Sequence, residues 1–145
     1  MPIGRGDYEN WSRRVDQLVR RMGGCSGESG FTGGTCWSPP TDVFETSKGV
    51  VVKMELPGVA RSDLSIVLVG DRLVVKGSRS DSDAGRKIQY HQMEISYGSF
   101  AKVVFLRMPY DGDGITASLS EGYLSITIPR APAPTEKKIA VEIRL

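Results

Sequence analysis

One histidine and two cysteines among 145 residues leave little from which to build a catalytic or metal centre. Any Ser-His-Asp arrangement would have to use His91, yet no Gly-x-Ser-x-Gly elbow accompanies it, because Gly27-Glu28-Ser29-Gly30 lacks the spacing. Cys25, Cys36 and His91 are too scattered for zinc-ligand spacing. Two cysteines in a Gly/Ser-rich stretch cannot form a disulfide framework and read as free thiols. Charge of one sign is also lacking. Nineteen Lys and Arg against seventeen Asp and Glu leave a formal net charge of +2, far from the field of a nucleic-acid binder. No apolar run approaches the roughly 20 residues that span a bilayer. Met1 to Asn10 has no signal-peptide core, so a cytoplasmic address is the expectation.

Two partial motifs also fail. Asp111-Gly112-Asp113-Gly114 opens like a calcium loop, but its fifth position is Ile115 and its twelfth is Gly122, so it reads as a tight turn. Gly23 to Gly34 is glycine-rich without the preceding strand, following helix or lysine of a phosphate cradle. No cofactor and no metal are expected, and the chain does not read as an enzyme. What remains is binding chemistry.

The composition that is present, 39% hydrophobic and 25% charged, is that of a soluble globular protein with one cored domain. Three regions differ in pattern. Within 1–36, Tyr8, Trp11, Val15, Leu18, Val19 and Met22 recur at helical steps, with Arg13, Arg14, Asp16, Gln17, Arg20 and Arg21 between them. Gly23 and Gly24 end this amphipathic helix, and a flexible Gly/Ser linker follows through Thr35. The stripe has two readings: packed on the rest of the protein, or left free by the linker for partners and sister chains. Its basic residues are diluted by Asp7, Glu9 and Asp16, which ranks a membrane surface low.

Across 37–129 the period changes to two. Strands are expected at Asp42 to Thr46, Gly49 to Leu56, Asp63 to Val69, Arg72 to Lys76, Phe100 to Leu106, Ile115 to Leu119 and Tyr123 to Ile128, separated by turns such as Pro57-Gly58 and Glu121-Gly122. Seven short strands without βαβ alternation indicate an all-β antiparallel sandwich. One long connection runs from Ser78 to about Met93. In its second half Ile88 and Tyr90 alternate within Arg86 to His91, so a further strand reaching outward is expected there.

In 130–145, after the prolines Pro129, Pro132 and Pro134, Ile139, Val141 and Ile143 alternate with Ala140, Glu142 and Arg144 and share one face of an extended segment. This strand has no evident partner in its own fold. An exposed apolar strand is a hazard unless it docks, and the groove expected to receive it lies on another copy of the protein.

Read in order, Trp37-Ser38-Pro39, Asp42-Val43-Phe44-Glu45, Glu55-Leu56-Pro57-Gly58-Val59, Asp63-Leu64, Leu73-Val74-Val75-Lys76-Gly77, Tyr97-Gly98-Ser99-Phe100, Ala117 and Gly122-Tyr123-Leu124 through Pro129 follow the pattern of an α-crystallin domain. The chain resembles a small heat-shock protein of the bacterial and plant type. The match covers about Trp37 to Pro129, and Ile139-Ala140-Val141 looks like the family's C-terminal I-x-I/V anchor. The resemblance implies an immunoglobulin-like β-sandwich with a short helical N-terminal arm and an extended tail. It implies an ATP-independent holdase that binds partly unfolded proteins and assembles from dimers into larger homo-oligomers. By the same resemblance Arg86, Ile88, Tyr90 and His91 lie where a loop strand swaps onto a neighbour. The tail groove is then expected between edge strands, at Leu64, Ile66, Leu68, Ile115, Ala117 and Leu119.

Clients are expected to meet Trp11, Val15, Leu18, Val19, Met22 and Phe31 when heat or dissociation uncovers them. Three departures stand out: Glu94-Ile95 replaces the usual Glu-Arg of a dimer ion pair, Tyr123 sits inside the customary Gly-Val-Leu, and Met108-Pro109 replaces Leu-Pro. A p23-like adaptor for one folded partner is the competing class, and a hydrolase using His91 a third.

Overall fold

The computed structural model describes residues 10, 13, 14, 17, 37–107, 109–131 and 138–144. The expected client residues Trp11, Val15, Leu18, Val19, Met22 and Phe31, and both cysteines, lie outside the described residues. Asn10, Arg13, Arg14 and Gln17 have helical backbones and are exposed.

Alternation becomes architecture in β1 (Thr41–Thr46), β2 (Gly49–Glu55), β3 (Leu64–Val69), β4 (Arg72–Arg79), β5 (Gly98–Phe105), β6 (Thr116–Ser120) and β7 (Tyr123–Pro129), with two short tail strands, β8 (Lys138–Ala140) and β9 (Ile143–Arg144). They form two sheets, ordered β1-β2-β7-β6-β9 and β5-β4-β3-β8. Every pairing is antiparallel except that of β6 with β9.

The core is the set of inward positions that period two selects. Val50, Val52 and Met54 of β2 stand opposite Ile128, Ile126 and Leu124 of β7, and all six are buried. Ile66, Leu68, Leu73, Val75 and Phe100 close the core from the second sheet. That sheet is also apolar outward. Val67, Val69, Val74 and Ala101 are buried with the opposite parity, which explains why β3 reads as an unbroken run, Leu64 to Val69, apart from Ser65.

Two turn and packing positions show why particular residues are required. Glu121 and Gly122 both take positive φ, 53° and 82°, in the two-residue connection between β6 and β7 that matches strand twist. A side chain at Gly77 would place its Cβ 2.7 Å from Phe100 Cζ, so the bare backbone there lets the Phe100 ring enter the core.

All seven sandwich strands stand where alternation expects them. The β4–β5 hairpin is longer than expected: Gly77, Ser78 and Arg79 continue β4 by pairing with Phe100, Ser99 and Gly98. Ladder hydrogen bonds outweigh the poor strand propensity of Gly and Ser here. Ile115, expected to open β6, lies just before it and is partly buried against the core.

Two expectations need correction. Arg86 to His91 form no strand within this chain; a 3-10 turn at Ala84–Arg86 gives way to an exposed segment without ladder pairing. A strand needs an edge to pair with, and the segment leaves its own sandwich without meeting one. The tail, in contrast, does have a partner in its own fold. β8 pairs with β3 through Val67–Ala140, Leu68–Ile139 and Val69–Lys138, and β9 pairs with β6 through Ala117–Ile143 and Ser118–Arg144. The single alternating strand is therefore split at Val141 and Glu142 into two pieces, one on each sheet.

Candidate functional site

The mouth of the sandwich between β3 and β6 holds the six residues that the family resemblance implied for a tail groove. Ile66, Leu68 and Ala117 are buried at its floor, while Leu64, Ile115 and Leu119 are partly buried and packed against the core. β3 and β6 belong to different sheets, so neither can close the gap by pairing with the other. The tail closes it. Val141 donates its backbone N–H to the Ile66 carbonyl at 3.0 Å and packs against the core. Ile143, 5% exposed, enters the core beside Ala117. The ion pair of Arg61 with Glu142, 3.6 Å apart, is exposed on both sides and adds little.

The tail is a weak closure for all its contacts. Burying an aliphatic side chain such as Ile143 is worth about 1.5 to 3 kcal/mol, and each ordered tail residue costs about 1 to 2 kcal/mol of backbone entropy. The terms are of similar size.

The second candidate is the connection from β4 to β5. Its entry is pinned by charge: Lys87 reaches the Asp81 carboxylate and, at 2.9 Å, the Tyr90 hydroxyl, while Arg86 pairs with Asp83. The hydrogen bond from Lys87 holds the Asp81 carboxyl below its ordinary value. That same bond, with the one to Tyr90, pushes the Lys87 ammonium above its own. Beyond the pinned entry the side chains turn outward. Ile88 is 99% exposed and Ile95 63%, with Tyr90 and Met93 about half exposed. Apolar surface so fully offered to water, on a loop rooted at its base, is the mark of an interaction surface.

A free strand edge lies on the other sheet. β1 has one neighbour, β2, so its outer backbone edge is unpaired among the described residues, and Val43 and Phe44 are exposed on it. A cleft of about 330 Å³ between Val43, Phe44, Val50, Phe105 and Leu106 adjoins it.

The remaining chemical candidates are ordinary structure. Asp111 accepts the backbone N–H of Asp113 at 3.0 Å and so caps its own turn. His91 stands exposed on the loop. Among the described residues no cluster of three or more His, Cys, Asp or Glu is placed to hold a metal, and no helix is long and apolar enough to cross a membrane. Sequence reading missed Asp81 and Lys87, whose signal was faint: opposite charges six residues apart in a polar stretch beside two tyrosines.

Comparison with known proteins sets this geometry in context. The model of the Hsp20/alpha crystallin family matches residues 42–144. Spore protein SP21 of Stigmatella aurantiaca is 35% identical over 71% of this chain, which spans 61% of that protein's length. Small heat shock protein C2 of Rickettsia felis is 34% identical over 72% of the chain and 68% of its own. Among solved structures, a small heat-shock protein of Xylella fastidiosa, described as having a distinct high order structure, superposes with a TM-score of 0.60 at 35% identity, covering 73% of this chain and 97% of that one.

Proposed function

The chain belongs to the Hsp20/alpha crystallin family, and from that membership we propose that it is an ATP-independent holdase that captures partly unfolded proteins and works as a dynamic homo-oligomer built from dimers. The observation that carries the reading is the set of exposed side chains Ile88, Tyr90, Met93 and Ile95 on a pinned loop, in a molecule whose β1 edge is unpaired among the described residues. In two copies, each loop pairs as a strand with β1 of the other, gaining ladder hydrogen bonds and taking Ile88 and Tyr90 out of water. Such an exchange is isologous and closes as a twofold dimer.

The groove between β3 and β6 then links dimers. A tail can leave its own groove and enter that of another copy through the same contacts, with Ile139, Val141 and Ile143 as the anchors. Each exchange is nearly neutral in energy, because like contacts replace like, and many tails together hold an assembly by effective concentration. Subunits that come and go uncover Trp11, Val15, Leu18, Val19, Met22 and Phe31 on the arm formed by 1–36, and these take up unfolding clients. Capture by apolar contact needs no nucleotide, no metal and no catalytic group. A cytoplasmic setting, with neither nucleic acid nor stable membrane association, fits the balanced charge.

The second reading is a p23-like adaptor, a monomer that binds one folded partner. It is favoured by the tail's occupation of its own groove, which leaves a closed single copy. The chaperone reading is tested by light scattering from a heat-unfolded client. The intact chain suppresses scattering without ATP, and the chain lacking residues 1–36 loses most of that effect. No suppression by the intact chain sinks the chaperone reading; equal suppression after the deletion sinks the assignment of the arm.

A further inference from the structure

The loop is braced at its exit as well as its entry, and one side chain makes the exit brace. Arg79 ends β4 opposite Gly98, the first residue of β5. Its Nε donates to the Ser96 carbonyl at 2.9 Å and its Nη1 to the Pro57 carbonyl at 3.1 Å. The guanidinium also lies 4.2 Å from the centre of the Trp37 ring and 5.7 Å from that of Tyr97. Trp37 is itself fixed, donating its indole N–H to Gly98 and its backbone N–H to Ser99, each at 3.0 Å. Tyr97 then connects the two ends of the loop, because Lys87 Nζ, held by Asp81 at the entry, sits 5.0 Å from the same ring.

From this geometry we propose that Arg79 is a positioning residue for subunit pairing: it fixes how the exit of the loop leaves the sandwich and thereby sets how tightly two copies associate. The proposal rests on the reading that the loop pairs with β1 of a second copy. A guanidinium suits the position because its planar fork donates in two directions while its face stacks on an aromatic ring. Lysine keeps the charge and part of the stacking but is a point donor. Alanine removes both.

With the brace in place, Ile88 to Ile95 leave the sandwich from two fixed points, and pairing orders fewer conformers. Without it the competent fraction falls, and apparent affinity falls by that fraction. Losing the hydrogen bonds to the Ser96 and Pro57 carbonyls and the stacking leaves association weaker by about tenfold, the effect of about 1.4 kcal/mol.

The test uses the full chain carrying Arg79→Ala, Arg79→Lys or the pair Ile88→Ser and Ile95→Ser. Monomer and dimer populations are followed by native mass spectrometry on dilution, and backbone amide exchange is read by segment. Arg79→Ala should raise the dimer dissociation constant about tenfold and speed exchange at 94–99, with protection in β2 and β7 unchanged; Arg79→Lys should fall between it and the native chain. An unchanged dissociation constant overturns the proposal. So does a loss of protection spread evenly through β2 and β7, which would make Arg79 a support of the fold alone. If Arg79→Ala does not fold, Arg79→Lys decides by the same two readings. The Ile88 and Ile95 pair separates the two ideas: unchanged association in that variant removes the pairing reading itself, whereas weakened association alongside an unaffected Arg79→Ala removes only the role of Arg79.

Discussion

Ile143 and Leu124 are both buried isoleucine-sized side chains in one core, yet their truncation should have different consequences. Leu124 stands on β7, paired on both sides by β2 and β6, so Leu124→Ala leaves a cavity that only global unfolding relieves, at about 2 to 5 kcal/mol. Ile143 sits on a two-residue strand that can simply lift away. Ile143→Ala is therefore expected to lower the melting temperature little while amide protection is lost in β8 and β9 and kept in β2 and β7. Equal melting losses for the two variants would mean that the tail is part of the cooperative fold.

At the entry of the loop, Asp81 and Lys87 make a pH dependence with a definite sign. The Asp81 carboxyl is held below its ordinary value of 3.8, so its pairing contributes above that value and is lost as pH falls through the lowered one. The Lys87 ammonium is held above its ordinary 10.5, so its share is present below that and is lost only as pH rises through the raised value. Nuclear magnetic resonance shifts of Ala84 to Tyr90 should be flat between these ordinary values and move together only outside them, in acid as Asp81 is protonated and in strong base as Lys87 loses its proton. A common transition near neutrality would contradict the pairing.

Among the elements, the seven strands of the sandwich were legible in the sequence because each buries one face, and burial of one face writes itself as alternation. Their turns were legible too, since positions such as Glu121-Gly122 need backbone angles that few residues tolerate. The groove at Leu64, Ile66, Leu68, Ile115, Ala117 and Leu119 was an expectation of the family resemblance, since parity gives the buried face of a strand and not what docks beside it. The longer β4–β5 hairpin was not legible, because Gly77 is there for the space beside Phe100 rather than for propensity. Nor was the path of the tail. Alternation at Ile139, Val141 and Ile143 fixes a face but not a partner, and a break at Glu142 that sends Ile143 to the other sheet depends on how far apart β3 and β6 lie. The bracing of the loop, though not the loop itself, was hidden for the opposite reason: Arg79, Asp81, Lys87 and Tyr97 act through contacts among polar and aromatic groups that carry no period.

The tail gives the element-scale prediction. Ile139→Ala with Val141→Ala leaves β9 able to dock but weakens the hold of β8 on β3 and of Val141 on the core. Particle mass by size-exclusion light scattering should fall toward that of a dimer, since the loops are untouched. Retention of the full native mass would remove the anchor role from this pair of side chains.

For the whole molecule, the sandwich is a rigid frame with interaction surfaces on opposite borders. One border is the groove between β3 and β6, closed by the tail; the other is β1 with its exposed Val43 and Phe44. The loop adds a third surface that its own frame leaves in water. On the proposed reading, such a protein lowers its free energy by meeting its own copies through contacts that are each weak enough to open. Warming should then shift mass from large assemblies toward smaller ones before the sandwich melts, because tails order few residues and the core many.

The most direct test is the native mass of the full chain at physiological temperature, read by native mass spectrometry against a monomer of 15.8 kDa. Assemblies of even subunit number, exchanging subunits when two differently labelled samples are mixed, are the predicted result. A stable monomer at micromolar concentration, with the tail protected from exchange in its own groove, would contradict the account and favour the monomeric adaptor.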